Sequence, residues 1–182
     1  MKKNAVKEQV KGFGHLRLMS LTVLFALIVP FQIKAQAGKA DFSGTWNMNE
    51  AKSTLPQSGQ GGGMRMGSGN LVVTQAANLL TVERTRTGQD GQSMTTTMKY
   101  TLDGKESINT SQRGDSKSVA SWSADGKSLN IETSRTMDIN GESRTMKSTE
   151  VWSLTDAKTL SIATTRQGQN GEVKSNMVYD KK

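Results

Sequence analysis

Asp125-Gly126-Lys127-Ser128-Leu129-Asn130-Ile131-Glu132-Thr133-Ser134-Arg135-Thr136-Met137-Asp138-Ile139-Asn140-Gly141 is the stretch that decides the fold. Its two ends are Asp-Gly and Asn-Gly, dipeptides that tolerate the positive φ angles of tight hairpins. Between them, apolar and polar residues alternate with the period of a strand. The same punctuation recurs at Asp90-Gly91, Asp103-Gly104 and Asn170-Gly171, with Gly114-Asp115 and Thr155-Asp156-Ala157-Lys158 filling the gaps. The intervening segments are rich in Thr, Ser, Val, Ile, Met and Trp, which suit a pleated surface. The chain therefore reads as all-β, an antiparallel up-and-down meander of about 8–10 strands closed into a barrel.

Upstream of this pattern the composition is different. Lys2, Lys3, Lys7, Lys11 and Arg17 precede an apolar stretch from Leu18 to Ile33, and Ala35-Gln36-Ala37 then matches the small-x-small signature of signal-peptidase cleavage. Residues 1–37 are read as a signal peptide and 38–182 as one domain, exported to the periplasm or the extracellular space. A membrane anchor is the rival reading, but the apolar stretch is short for a span and contains Pro30 and Gln32. Of the 24 basic and 16 acidic residues, the leader holds 6 and 1, so the remainder carries a net charge of only +3. That is too little to point to nucleic acid.

Whole classes of chemistry are missing. The chain has no cysteine, and its one histidine, His15, lies in the leader. Ser-His and Cys-His nucleophiles, thiolate chemistry and the usual zinc sets are therefore excluded from the domain. Paired carboxylates are defined by separation in space, so sequence alone does not dispose of them. The reading is a protein that is not an enzyme and carries no metal or other cofactor.

A weak repeat gives the strands their facing. Leu80-Thr-Val82-Glu-Arg-Thr-Arg86, Leu129-Asn-Ile131-Glu-Thr-Ser-Arg135 and Leu160-Ser-Ile162-Ala-Thr-Thr-Arg166 each place Leu, a β-branched residue and Arg at even spacing. In a strand those side chains share one face. A two-residue Asn140-Gly141 loop pairs Met146 with Arg135, Glu150 with Ile131 and Trp152 with Leu129. The same rule at Asp125-Gly126 pairs Trp122 with Leu129, and at Asn170-Gly171 it pairs Met177 with Thr164 and Tyr179 with Ile162. A three-residue Gln89-Asp90-Gly91 loop with a bulge pairs Arg86 with Met94 and Val82 with Met98.

The resulting inner face is apolar in the main, with Leu80, Val82, Met98, Tyr100, Leu129, Ile131, Leu160, Ile162 and Tyr179. It also carries Arg84, Thr96, Thr133, Glu150 and Thr164, which suggests a wet interior because unpartnered buried charge is costly. In a meander alternate turns lie at the same end. Arg86, Arg113, Arg135 and Arg166 thus gather at one end and the aromatic residues at the other. The expected ligand-binding residues are Arg86, Arg135 and Arg166, with Met94, Met146 and Met177 just inside them. Guanidinium groups recognise carboxylate or phosphate through two coplanar hydrogen bonds, and Met adapts to irregular apolar shapes. The bland alternative is that these arginines are solvated strand ends.

Phe42-Ser43-Gly44-Thr45-Trp46 resembles the opening of the first strand in the calycins, the lipocalins and intracellular fatty-acid-binding proteins. In those families the Trp of Gly-x-Trp plugs the closed end of an up-and-down barrel. The resemblance gives Gly44 and Trp46 that role, and Trp122 and Trp152 join them in the expected barrel floor. Ala51-Lys52-Ser53 adds a likeness to small secreted lipocalin-like domains of Gram-negative bacteria. The chain departs from fatty-acid-binding proteins in lacking an Arg at the required spacing before Tyr179, so their carboxylate site does not transfer.

Residues 49–69 form a glycine-rich loop, with Gly59, Gly61, Gly62 and Gly63 beside Met64 and Met66, that should hang over the cationic mouth. It lacks the Gly-Lys-Ser/Thr ending of a phosphate loop. Asn109-Thr110-Ser111 is a glycosylation sequon whose meaning depends on the source. Two functions stay open: a secreted small-molecule-binding barrel for an amphipathic or anionic hydrophobic ligand, and a structural or interaction domain of the cell envelope with a packed interior. Stable membrane insertion is disfavoured because outward positions such as Lys99, Asn130, Glu132 and Ser134 are wrong for lipid.

Overall fold

The computed structural model describes residues 38–54, 69–87, 91–111, 114–139, 141–168 and 171–182; the leader, positions 55–68 and the tips of four hairpins lie outside them. Ten strands follow in order: β1 (Gly44–Met48), β2 (Asn70–Ala76), β3 (Leu79–Thr87), β4 (Ser93–Thr101), β5 (Glu106–Ser111), β6 (Gly114–Trp122), β7 (Ser128–Ile139), β8 (Glu142–Asp156), β9 (Thr159–Gly168) and β10 (Gly171–Lys181). They make one antiparallel sheet in the order β4-β3-β2-β1-β10-β9-β8-β7-β6-β5, an up-and-down meander nearly closed into a barrel.

Turn chemistry set most of the registers. Arg135 pairs with Met146, Ile131 with Glu150 and Leu129 with Trp152, Trp122 pairs with Leu129, and Arg86 and Val82 pair with Met94 and Met98. The last hairpin differs. Met177 lies opposite Ile162 and Tyr179 opposite Leu160, two residues from the register expected of an Asn170-Gly171 loop, because Gly171 already pairs with Gly168. A slip of two preserves the side-chain period, so the same residues still face inward.

The closed end is built by residues ahead of β1. Phe42 is fully buried, stacks on Trp122 at 5.8 Å between ring centroids and meets Trp152 edge-on at 5.8 Å. Its carbonyl accepts the indole N–H of Trp46 at 2.9 Å. Gln75, buried on the inner face of β2, holds the segment from both sides: its Oε1 accepts from the Phe42 N–H at 3.1 Å and its Nε2 donates to the Ala40 carbonyl at 2.9 Å. A buried amide is tolerated only with such partners. The Ala40 N–H also reaches the Gly126 carbonyl at 2.9 Å. Gly126 must be glycine, since its φ is +71° and a Cβ would lie 2.5 Å from the Gly38 carbonyl oxygen.

Three turns at this end share one device. Asp103, Asp125 and Asp156 each accept the backbone N–H of the lysine two residues on, at 3.2, 3.0 and 2.7 Å. The Lys105 ammonium at Asp103, the Ser123 hydroxyl at Asp125 and the Lys158 N–H at Asp156 lead in holding these carboxyls below their ordinary range, with the other backbone bonds adding to them. An aspartate that pins its own turn is a local signal, readable without the rest of the fold.

After β1 the chain does not leave the sheet at once. A 3-10 turn at Glu50–Lys52 is capped by Asn49, whose side chain accepts from the Lys52 N–H. Thr54 then rejoins β10 through paired backbone bonds with Asn176. Asn49 and Lys52 both reach Asp180, at 2.6 and 3.0 Å, and the Ser53 hydroxyl accepts the Val178 N–H at 2.9 Å. The Ala51-Lys52-Ser53 motif is therefore a clamp on β10, and the first part of the 49–69 loop is pinned to the wall. Positions 55–68, most of the glycine-rich loop expected to hang over the mouth, lie outside the described residues.

The barrel closes without a backbone ladder between β4 and β5. Instead, the Asn109 side chain donates to the Lys99 carbonyl at 2.9 Å and accepts the Lys99 N–H at 2.8 Å. The Ser107 hydroxyl accepts the Thr101 N–H at 2.8 Å. A carboxamide reproduces the donor and acceptor of a peptide group, so one side chain stands in for a missing strand partner. The sequon asparagine is thus buried and fully engaged.

Candidate functional site

Above the aromatic floor, the inner wall changes from apolar to polar. The floor itself consists of fully or nearly fully buried Trp46, Leu71, Leu80, Leu129, Trp152, Leu160 and Ile162, with Trp122 partly buried against them. Gly44 has φ +143°, and the Lys181 ammonium lies 5.1 Å over the Trp46 ring. Above the floor, β3 presents Arg84, β8 Glu150 and β9 Thr164, each placed inward by strand parity, while Tyr100 and Tyr179 face inward at the level of the floor residues Leu80 and Leu160, their direct partners.

These groups act on one another electrostatically. Burial opposes charge on Arg84, but the Glu150 carboxylate together with the Tyr179 and Tyr100 oxygens outweighs it and holds the guanidinium above its usual range. Burial pushes the Tyr100 phenol well above its usual value, with Glu150 adding to the rise while Arg84 and Arg135 oppose it. Tyr179 is raised in the same way, chiefly by burial, against the pull of Arg84 and Arg86. Both phenols are therefore kept as neutral hydrogen-bond donors. Glu150 accepts the Trp152 indole N–H at 2.9 Å, which ties the polar layer to the floor.

The hydroxyls of the wall fall into two groups. On β5, β6 and β7 they satisfy one another: Ser118 bonds Thr133 at 2.9 Å, and the fully buried Ser116 donates to the Asn109 carbonyl at 3.2 Å. On β9, the Thr164 hydroxyl is buried and has no protein partner. A buried hydroxyl without a partner costs free energy unless water or a ligand supplies one.

Toward the other end stand the residues singled out in the sequence. Arg86, Arg135 and Arg166 are all half-buried and on the inner face. Arg86 lies beside Met94, Arg135 beside Met146, and Arg166 beside the buried Val173 and Ser148. Their methionines are not equivalent: Met177 is buried, whereas Met94 is 70 % and Met146 42 % exposed. All three share the parity of the inner-facing residues on their strands, but depth along a tilted strand follows from the stagger of the whole barrel. Met177 lies level with Trp152 through Ile162, so it belongs to the floor side of the interior.

Arg84, Glu150 and Thr164 were legible as polar residues on an apolar face, but nothing local indicated that they meet. Among the described residues, no group of three or more His, Asp or Glu could hold a metal ion. A groove of about 400 Å³ lined by Gly114, Asp115, Lys117, Ser134 and Thr136 lies on the outer wall, away from this layer. No described helix is long and apolar enough to cross a membrane.

No family model matches the sequence, and no curated protein matches it. Among solved structures, the chain is similar to the crystal structure of zebrafish ileal bile-acid-binding protein complexed with cholic acid. The TM-score is 0.50 and the identity 16 %, over 78 % of this chain and 98 % of that one. At that identity the likeness is one of fold. In fold, the chain is a calycin-like up-and-down β-barrel.

Proposed function

We propose that this chain is an exported barrel that holds a small amphipathic molecule, with its anionic head at Arg86, Arg135 and Arg166 and its apolar part directed down toward Met177 and the floor. The observation that carries this reading is the convergence of cationic side chains on the interior. Arg84, Arg86 and Arg135 all bear electrostatically on the buried Tyr100 or Tyr179, whereas solvated strand ends would not. Among the described residues Glu150 is the carboxylate that acts on the same phenols, against three arginines, so positive charge is in excess around them. An anion entering it gains from a medium less polar than water. The zebrafish protein similar to this chain in fold is complexed with cholic acid, an amphipathic acid.

Calorimetric titration of dodecanoate, cholate and 1-naphthoate into wild type and into Arg86→Ala, Arg135→Ala and Arg166→Ala tests the reading. Loss of one arginine is expected to weaken an anionic ligand by about 1.5–3 kcal/mol, the scale of a charge-assisted hydrogen bond. Equal affinity across the four proteins returns the arginines to the role of strand ends, and no binding by any points to an envelope domain with no ligand. Export is checked separately by N-terminal sequencing of the protein from its own host, with a start near Gly38 expected and a retained Met1 contradicting it.

A further inference from the structure

Between the arginine mouth and the aromatic floor, we infer that the barrel holds a second recognition point, formed by Glu150 and Thr164 facing Arg84, that takes a neutral group able both to donate and to accept a hydrogen bond, a hydroxyl above all. The inference rests on the binding function proposed above and adds the chemistry of the ligand's buried end.

Three features converge on this point. Thr164 and Glu150 are direct partners on β9 and β8, both on the inner face, where opposite side chains lie about 5 Å apart at Cβ. Despite that, the Thr164 hydroxyl, 9 % exposed, has no partner, and Glu150 is engaged through Oε2 by the Trp152 indole, leaving Oε1 open. A donor-acceptor group placed between them would give its hydrogen to Glu150 Oε1 and exchange a hydrogen bond with Thr164 Oγ1.

Charge decides the class of ligand group. Among the described residues Arg84 makes no ion pair within 4 Å, yet it lies in the field of Glu150 across the interior. The two charges oppose each other over the same space. A carboxylate brought here is repelled by Glu150, and an ammonium by Arg84. Burying either leaves an uncompensated charge. A methyl group leaves the Thr164 hydroxyl and Glu150 Oε1 unpartnered, and sites with buried polar groups reject such analogues for that reason. A hydroxyl meets none of these penalties. The phenols of Tyr100 and Tyr179, lower on the inner wall, stay neutral and add no charge.

Matched fatty acids supply the test. Octanoate, decanoate and dodecanoate are compared with their ω-hydroxy counterparts and with dodecanedioate, by calorimetry on wild type, Thr164→Val and Glu150→Gln. Wild type is expected to prefer the ω-hydroxy acid at the chain length that reaches the site by roughly two- to tenfold, the span of one net hydrogen bond. Thr164→Val keeps the side-chain shape, so it should fold normally, bind the plain acids at least as well and lose the preference. Glu150→Gln removes the opposing charge and should strengthen dodecanedioate by about tenfold, the worth of a charged hydrogen bond to Arg84. If no acid binds at all, the underlying function is wrong. If the acids bind but no chain length favours the hydroxyl, or Thr164→Val keeps the preference, this inference is overturned while that function stands.

Discussion

Phe42→Ala is expected to cost about 4 kcal/mol, within the range of about 3–5 kcal/mol for deleting a buried phenyl ring and leaving a cavity. The ring is completely shielded and is the common neighbour of Trp122, stacked at an interplanar angle of 5°, and Trp152, at 73°. Aromatic pairs of this kind add about 0.5–1.5 kcal/mol each beyond their area. The cavity cannot be refilled by simple collapse, because the Phe42 backbone is fastened to Gln75 and Trp46. A domain of this size holds about 5–15 kcal/mol in all, so the change removes roughly a quarter or more of its stability. The melting temperature should fall by about 8–16 °C, at roughly 2–4 °C per kcal/mol for about 150 residues. Urea unfolding followed by tryptophan emission measures both effects, since Trp122 and Trp152 lose their ring neighbour and should shift to longer wavelength. A loss under about 1 kcal/mol with unchanged emission would mean that residues 38–43 do not plug the barrel. Phe42→Leu serves as the control and should cost less than half as much.

Gln75→Leu is expected to cost about 2–4 kcal/mol, because it strips partners from two backbone groups in the plug at about 1–3 kcal/mol for each buried orphan; equilibrium unfolding reads it, and a neutral result would show that water replaces the amide. Asn109→Ala should open the β4–β5 seam and cost about 1–2 kcal/mol, with hydrogen exchange at the Lys99 amide rising sharply while that of Tyr100, which faces β3, is unchanged; equal protection of both would place the seam elsewhere. Gly44→Ala forces an L side chain to φ +143° and should destabilise by about 1–3 kcal/mol in thermal melts, the strain range for such a conformation. Stability should also fall at alkaline pH. The folded-state pKa of Tyr100 and Tyr179 is raised by burial, so the folded state holds protons that the unfolded chain releases near pH 10, and stability present below that pH is lost as it rises. Tyr100→Phe should flatten this decline in melts between pH 8 and 11, and an unchanged slope would show that the phenol ionises freely in the folded protein.

Sequence reasoning reached the fold because its signals are local. An Asp-Gly or Asn-Gly turn sets which residues face each other within a few positions on either side, and the two-residue period then sorts every residue of the hairpin to one face. Leu80, Leu129, Ile131, Trp152 and Leu160 fall inside on that basis alone, and they are buried. The register at the last hairpin was read two residues away from the observed one, and the facing survived because an even slip does not change parity.

Depth and closure belong to the tertiary structure. Met94, Met146 and Met177 share one facing but not one level, since stagger accumulates over ten strands. Trp46, Trp122 and Trp152 looked alike in the sequence, yet Trp122 is only partly covered, and Phe42, which lies outside any strand, turned out to be the residue that joins two of them. Asn109 read as a sequon and became the barrel's seam. The layer of Arg84, Glu150 and Thr164 joins residues as far apart as β3 and β9. By itself the sequence determined an all-β meander with an inner face of arginines over aromatics, because turns and alternation act over a few residues. Which of those side chains meet across the interior was decided only when the sheet curled, because that contact depends on every register between them at once.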